Sequence, residues 1–252
     1  LGEGAFGEVF KAYYREPGTN ARLVAVKTLK TGAAYEDRQE FLDEVHLMKE
    51  LNGHPNVLGI IGHCLLDEPY LLLVELCMHG NLRDLLRASR ASSSNMQFEF
   101  EQLRKFSMQI CSGMAHLHQQ GILHRDLAAR NVLVSKGLHC KVADFGMSRQ
   151  HDEYRTTATR LPIKWMDIQS LADRIYTTKS DVWSFGVTCF EIFSLGGTPY
   201  PTYSNGQMLD LLRSGYRMPK PSQANQAIYD IMLLTWQEDP DHRPVRLRQW
   251  FS

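Results

Sequence analysis

His124-Arg125-Asp126-Leu127-Ala128-Ala129-Arg130-Asn131, with Asp144-Phe145-Gly146 downstream, decides how the rest of the chain is read. Two carboxylates and an amide at this spacing suit the movement of a phosphoryl group from a metal-bound nucleotide to a hydroxyl. One carboxylate takes the hydroxyl proton. A second holds the magnesium that bridges the phosphates, and an amide oxygen helps hold a second ion. Asp126 is the candidate base, Asp144 the candidate metal ligand and Asn131 the candidate amide. A lone His-Arg-Asp is also what a salt-bridged turn looks like. The octet and triplet together are far harder to assemble by chance.

A partner for this chemistry stands at the start of the chain. Gly2-Glu3-Gly4-Ala5-Phe6-Gly7-Glu8-Val9 is a GxGxxG pattern. Alone it also fits a dinucleotide-binding turn or an ordinary tight turn. Here Val9-Phe10-Lys11-Ala12-Tyr13 continues as strand, and no helical pattern appears before Asp37, which favours a glycine hairpin covering phosphates. Val24-Ala25-Val26-Lys27 then buries a lysine in an apolar strand, a costly placement without a charged partner. Glu44 is the matching misfit, on the apolar helix stripe of Phe41, Met48 and Leu51. The two charges explain each other as an ion pair, with Lys27 also reaching nucleotide phosphates. The competing placement has Lys27 snorkelling to water and Glu44 at the stripe's edge.

Alternation over 22–30 predicts a strand, with Leu23, Ala25, Lys27 and Leu29 on one face. Helical spacing predicts a helix over 37–51, and Leu71-Leu72-Leu73-Val74 reads as a buried strand. From Gly80 on the pattern is mainly helical. Leu103, Phe106, Ile110, Met114 and Leu117 trace one long amphipathic helix ended by Gly121, and residues 181–195 are apolar on nearly every side. Ser92-Ser93-Ser94 reads as a short flexible insert. The fold class is α+β, with a small sheet part over 1–75, a strap over 75–80 and a larger helical part over 81–252.

Composition adds exclusions. With 28 basic and 28 acidic residues, bulk charge gives no reason to expect a nucleic-acid or membrane-surface binder. No apolar run within the chain is long enough to span a bilayer. Five cysteines, an odd number without a CxxC pair, argue against a disulfide framework or zinc site and for a reducing compartment. His116 and His118, two apart on a helix, read as surface residues and not metal ligands. The chain opens at Leu1 inside the glycine motif and stops at Ser252 in a helical pattern, so it reads as a piece cut from something longer.

These motifs resemble the protein kinase domain and, within it, the tyrosine kinases of the growth-factor receptor type. Asp126-Leu127-Ala128-Ala129-Arg130-Asn131 resembles the tyrosine-kinase form, whereas serine/threonine kinases usually carry lysine two residues after the aspartate. Leu161-Pro162-Ile163-Lys164-Trp165-Met166 resembles the substrate-docking segment, and Leu195-Gly196-Gly197-Thr198-Pro199-Tyr200-Pro201 looks like the growth-factor type. The resemblance implies a bilobal catalytic domain that uses ATP and Mg2+ to phosphorylate protein tyrosines. By likeness it also implies a cytoplasmic location in a single-pass plasma-membrane receptor that works as ligand-driven dimers. Asp126, Arg130, Lys27 and Glu44 are then catalytic, and Asn131 and Asp144 hold metal. Leu1, Gly2, Gly4, Gly7, Val9, Ala25, Lys27, Glu75, Cys77 and Leu133 surround the nucleotide, with Val74 guarding a back pocket. Met48, Ile60, His124 and Phe145 would form an apolar column footed on Asp181, giving His124 a structural role. Pro162 and Trp165 would form the docking platform.

Tyr154 is the one tyrosine in the activation segment, residues 147–166. Phosphorylation adds about −1.5 to −2 charges, which Arg125 and Arg149 would pair with; the alternative is an ordinary exposed tyrosine. One motif departs from the pattern. Where the family has Ala-Pro-Glu, this chain has Asp167-Ile168-Gln169. The family glutamate pairs with an arginine corresponding to Arg243, to which Gln169 can still hydrogen-bond but which it cannot neutralise. That predicts a looser activation segment, a melting temperature raised by restoring glutamate at 169, and a rival reading as a pseudokinase scaffold. A serine/threonine kinase is disfavoured by Ala128 and Arg130.

Overall fold

The computed structural model describes residues 2–3, 7–91, 96–150, 153–155 and 161–244, with 2–3, 149–150 and 153–155 described as backbone. Strands β1 (Gly2–Glu3), β2 (Glu8–Tyr14) and β3 (Arg22–Thr28) open the chain, followed by helix α1 (Tyr35–Glu50) and strands β4 (Ile60–Cys64) and β5 (Leu71–Glu75). They form one antiparallel sheet in the order β1-β2-β3-β5-β4. Alternation in β3 buries Val24 and Val26 on one face and Ala25 on the other. The sheet's core closes when α1 lays Phe41, Val45 and Met48 against it, all but sealed from water.

The second part begins with α2 (Leu82–Ala88), capped by Asn81, whose side chain accepts the Asp84 amide at 2.9 Å. Then come α3 (Phe100–Gln119), β6 (Ile122–Leu123), β7 (Val132–Val134), β8 (Cys140–Val142), β9 (Arg149–Gln150) and β10 (Glu153–Arg155). Helix α4 (Ile168–Asp173), β11 (Ile175–Thr177), α5 (Thr178–Phe193), α6 (Met208–Arg213) and α7 (Gln226–Thr235) complete it. The apolar stripe read along α3 is buried throughout, and Gly121, at φ +69°, ends the helix as expected. Helix α5 runs through the centre, with Trp183, Phe185, Val187, Ile192 and Phe193 fully buried. Each such side chain contributes about 1.5–3 kcal/mol. A Cβ on Gly186 would lie 1.9 Å from the Thr235 hydroxyl, so glycine alone lets α7 pack this close to α5.

Backbone bonds join the two parts. The Leu58 amide donates to Val142 (2.9 Å), the Val142 amide to Asn56 (2.9 Å) and the His79 amide to Val134 (3.0 Å). The hairpin β7–β8 is thereby held against the sheet part, and it carries Leu133 into the gap between them. Residues 92–95, which hold the serine run, lie outside the described part. No helix among the described residues is long and apolar enough to cross a membrane.

Candidate active site

A cavity of about 370 Å³ opens where the two parts meet. Val9, Ala25 and Val74 line it from the sheet, Leu133 from β7, and Glu75 and Cys77 from the connecting strap. Burial pushes the Cys77 thiol up to about 12, so at neutral pH it is an uncharged part of the wall. The Glu75 side chain turns to accept the Gly59 amide at 2.7 Å and to pair with Lys141 at 2.8 Å. Of the glycine motif, Leu1 and Gly4 lie outside the described residues. Gly2 belongs to β1, across from Val9. Gly7 is required for a reason spacing did not give. A Cβ there would sit 2.1 Å from the Thr28 carbonyl oxygen, so the turn can close on β3 only without a side chain.

Lys27 reaches across the cavity wall to Glu44, Nζ to Oε2 at 2.5 Å. Glu44 is 4% exposed. Burial lifts its carboxyl above the usual range, Lys27 pulls it down and the charge of Asp144 lifts it further. Glu44 on α1 thus senses one charge from β3 and another from the 144–146 turn.

The turn carrying Asp126 is held from beneath. Asp181, at the N-terminus of α5, accepts the His124 amide with Oδ2 and the Arg125 amide with Oδ1, both at 2.9 Å. These bonds sustain Arg125 at φ +68°, a region that costs a side-chain-bearing residue roughly 1–2 kcal/mol. His118 Nε2 lies 2.9 Å from the same carboxylate. His118 is therefore not a surface residue: α3 packs on α5, and the turn of the helix that faces Asp181 carries it. Nor is His116 one, since its ring stacks on His54 with centroids 4.6 Å apart. Burial alone would push the Asp181 carboxyl up, but the His118 bond and the nearby imidazoles outweigh it and leave it below its usual range. His124 is fully buried, bonds Ala143 through Nε2 at 3.1 Å and meets the Phe145 ring at 5.7 Å.

Asp126 is gripped on both oxygens. Arg130 Nη2 donates to Oδ1 and Asn131 Nδ2 donates to Oδ2 at 2.7 Å. The Asn131 amide also donates to the Asp126 carbonyl at 2.7 Å, which fixes the amide and directs its remaining oxygen elsewhere. Burial raises the Asp126 carboxyl above its usual value. Arg130, His124 and Asn131 oppose the rise, and Asp144 adds to it. Asp144 itself sits at φ +64°, exposed to the cleft. Asn131 and Asp144 line one cavity with oxygen atoms, the donor type that suits a hard divalent cation shared with phosphates.

Sequence reasoning missed Glu191. One oxygen of this buried carboxylate on α5 accepts both the Ala129 amide (2.8 Å) and the Trp165 indole N–H (2.9 Å). Burial pushes its carboxyl above the usual range, against the pull of those two donors. Trp165 in turn lies under the Arg130 guanidinium, 4.4 Å from ring to charge. The only signal in the sequence was a charge within the apolar stretch that follows Asp181 on α5. Pro162 begins the single turn 163–165, which Ser184 fastens by donating to the Trp165 carbonyl at 2.8 Å, and Lys164 by donating to Tyr200 at 2.8 Å.

Of Tyr154 and Arg149 the structure describes the backbone alone. Tyr154 pairs across β10–β11 with Tyr176, and Arg149 across β6–β9 with Leu123. Arg125 donates to the Met147 carbonyl at 2.8 Å and lies 4.9 Å over the Tyr176 ring.

The loose end predicted at Gln169 is corrected by the geometry. Arg243 is neutralised after all, by Asp167 at 2.5 Å, while Gln169 Oε1 accepts a second bond from it at 2.8 Å. The carboxylate that does this was read in the sequence only as part of a degenerate motif.

A family model described as protein tyrosine and serine/threonine kinase matches residues 1–248. Among curated proteins, the chain is similar to a fibroblast growth factor receptor of Hydra vulgaris, 42% identical over 97% of the chain and 31% of that protein. It is similar also to the myoblast growth factor receptor egl-15 of Caenorhabditis elegans, 41% identical over 97% of the chain and 26% of that protein. The tyrosine kinase receptor Cad96Ca of Drosophila melanogaster is 40% identical over 97% of the chain and 33% of its own length. The chain thus spans a third or less of these relatives.

Proposed function

Because this chain belongs to the family of protein tyrosine and serine/threonine kinases, we propose that it moves the terminal phosphate of ATP onto tyrosine hydroxyls of protein substrates, as the cytoplasmic catalytic part of a plasma-membrane receptor. In this reading residues 1–252 are one catalytic domain, with the sheet lobe up to 75, the strap over 75–80 and the helical lobe from 81. The observation that carries it is a convergence: an oriented amide, an exposed carboxylate and a paired lysine line one cavity, and two of its lining side chains, Arg130 and Asn131, hold the Asp126 carboxylate.

Each residue then has a task. Asp126 accepts the proton of the attacking hydroxyl, and Arg130 and Asn131 aim its two oxygens. Val9, Ala25 and Leu133 enclose the base, and backbone groups at Glu75 and Cys77 orient it. Lys27, kept in place by Glu44, draws the phosphates toward the acceptor. Asn131 and Asp144 would hold Mg2+, which supplies positive charge to the phosphate oxygens when bound. Pro162 and Trp165 support the acceptor chain from below. Tyr154, whose backbone pairs with that of Tyr176, gains negative charge on phosphorylation, which Arg125 and Arg149 pair with, and so orders the segment. Two copies brought together by a parent receptor would phosphorylate each other there.

The pseudokinase rival rested on the degenerate Asp167-Ile168-Gln169 motif; the Asp167–Arg243 pair supports the active reading, since the arginine still has a carboxylate partner. The test is Asp126→Asn assayed on a tyrosine peptide with ATP and Mg2+. Loss of a positioned general base predicts a fall in turnover of about 10²–10⁴-fold, with ATP affinity kept within about threefold. Turnover above a tenth of the parent chain's rejects the assignment.

A further inference from the structure

Arg243 is fully buried, and each of its five N–H groups has an acceptor. Nε donates to the Gln237 carbonyl, Nη1 to Asp167 and the Lys179 carbonyl, and Nη2 to Gln169 and the Glu238 carbonyl. Four of these partners are neutral. Asp167, 1% exposed, supplies the only negative charge among them. A buried guanidinium without a counter-charge is strongly destabilising, so this single carboxylate decides whether the arrangement stands.

Asp167 also has a second bond that a residue at 169 lacks. Its Oδ1 accepts the Ser170 amide at 3.0 Å and caps α4, while Oδ2 takes Arg243. Gln169, meanwhile, is used as an amide: its oxygen accepts from Arg243 and its nitrogen donates to the Glu238 carbonyl at 3.0 Å. A carboxylate at 169 would set oxygen against that carbonyl and place a second negative charge beside Asp167. The chain on either side is tightly held. Asp167 follows Met166, whose amide donates back to Ile163, and Trp165 stacks under the Arg130 that grips Asp126.

We propose that the anchoring charge of this segment resides on Asp167, two residues before the family's position, and that Asp167 is thereby a positioning residue for the docking turn 162–165. Through Arg243 it pins the end of that turn to the helical lobe and sets where a protein acceptor rests. The part concerning the acceptor rests on the function proposed above; the part concerning the anchor does not.

Three variants separate the possibilities: Asp167→Asn, Gln169→Glu, and both together, which returns the charge to position 169 and leaves an asparagine cap. Melting temperature is read by calorimetry, and KM and kcat for a tyrosine peptide are read with KM for ATP alongside. Asp167→Asn lowers the melting temperature by about 6 °C or more. It also raises peptide KM by about fivefold or more and leaves ATP KM within about twofold. Gln169→Glu alone gives no increase in melting temperature. The double variant recovers more than half of both losses. If Asp167→Asn does not fold, a folded double variant supports the proposal equally, and an unfolded one overturns it. It is also overturned by an Asp167→Asn chain that melts within about 2 °C of the parent, or by a rise with Gln169→Glu alone. Should the parent chain transfer no phosphate, the function falls while the melting pattern still decides the anchor.

Discussion

The two walls of the cleft are built on different principles. On the helical side, the turn 124–131 is tied to α5 at both ends: Asp181 takes two of its amides and Glu191 a third. On the sheet side, α1 brings one charged group to the cleft, and its hold on Lys27 is a single ion pair, 15% exposed at the lysine. The difference teaches where the protein is set in advance and where it is adjustable. Buried carboxylates accepting several backbone amides fix geometry before any ligand arrives. One pair made between two side chains alone, by contrast, would be broken by a shift of α1 that leaves the backbone bonds of the sheet untouched.

Variants at the two walls should therefore behave differently. Glu44→Gln leaves Lys27 without its counter-charge and costs about 10²-fold in kcat/KM, while the melting temperature moves by less than about 3 °C. Steady-state kinetics and calorimetry on one preparation check both halves. A large melting shift would mean that α1 is as fixed as the helical wall. Asp181→Asn does the reverse. It unseats His124 and Arg125 together, and the melting temperature falls by about 6 °C or more. Its pH behaviour has a definite sign. The Asp181 carboxyl lies below its unfolded value near 3.8, so its contribution is present above that value and is lost as pH falls through the folded one. Urea unfolding between pH 2 and 5 should show the parent chain losing stability on acidification more steeply than Asp181→Asn.

Much of this contrast was legible in the sequence, and for a physical reason. Lys27 and Glu44 stood out because each is a charge where its own periodicity demands an apolar group, and two such violations of opposite sign find each other. The long helices were equally plain, α3 because its apolar residues repeat at helical spacing over many turns and α5 because it is apolar on nearly every side. What the sequence hid were partners chosen by packing between distant elements. Glu191 looked like one more polar residue on α5, and nothing local says that Ala129 and Trp165 converge on one of its oxygens. His118 looked exposed because neighbour spacing on α3 is silent about what α5 presents opposite. Asp167 looked like a broken motif because the motif records position, whereas the buried arginine requires only a carboxylate within reach.

The smallest effects come from Glu191 and sharpen the comparison within the helical wall. Both donors bind the same oxygen, so Glu191→Gln can keep both bonds through its amide oxygen, whereas Glu191→Ala loses them and lowers kcat by about tenfold. The folded carboxyl lies above its usual 4.5, so folding favours the protonated form and the parent chain loses stability as pH rises through the folded value. The glutamine variant has no such proton to release. Its stability should decline less between pH 4.5 and 8 in urea titrations, and parallel curves would contradict the assigned direction.

The central claim concerns the acceptor, and one measurement reaches it directly. The chain is incubated with ATP labelled at its terminal phosphate, Mg2+, and two peptides that differ only in tyrosine or serine at the acceptor position. The account predicts label on the tyrosine peptide, dependent on Asp126 and at least about tenfold faster than on the serine peptide. Equal labelling of both, or label on neither under conditions where ATP is bound, would contradict it.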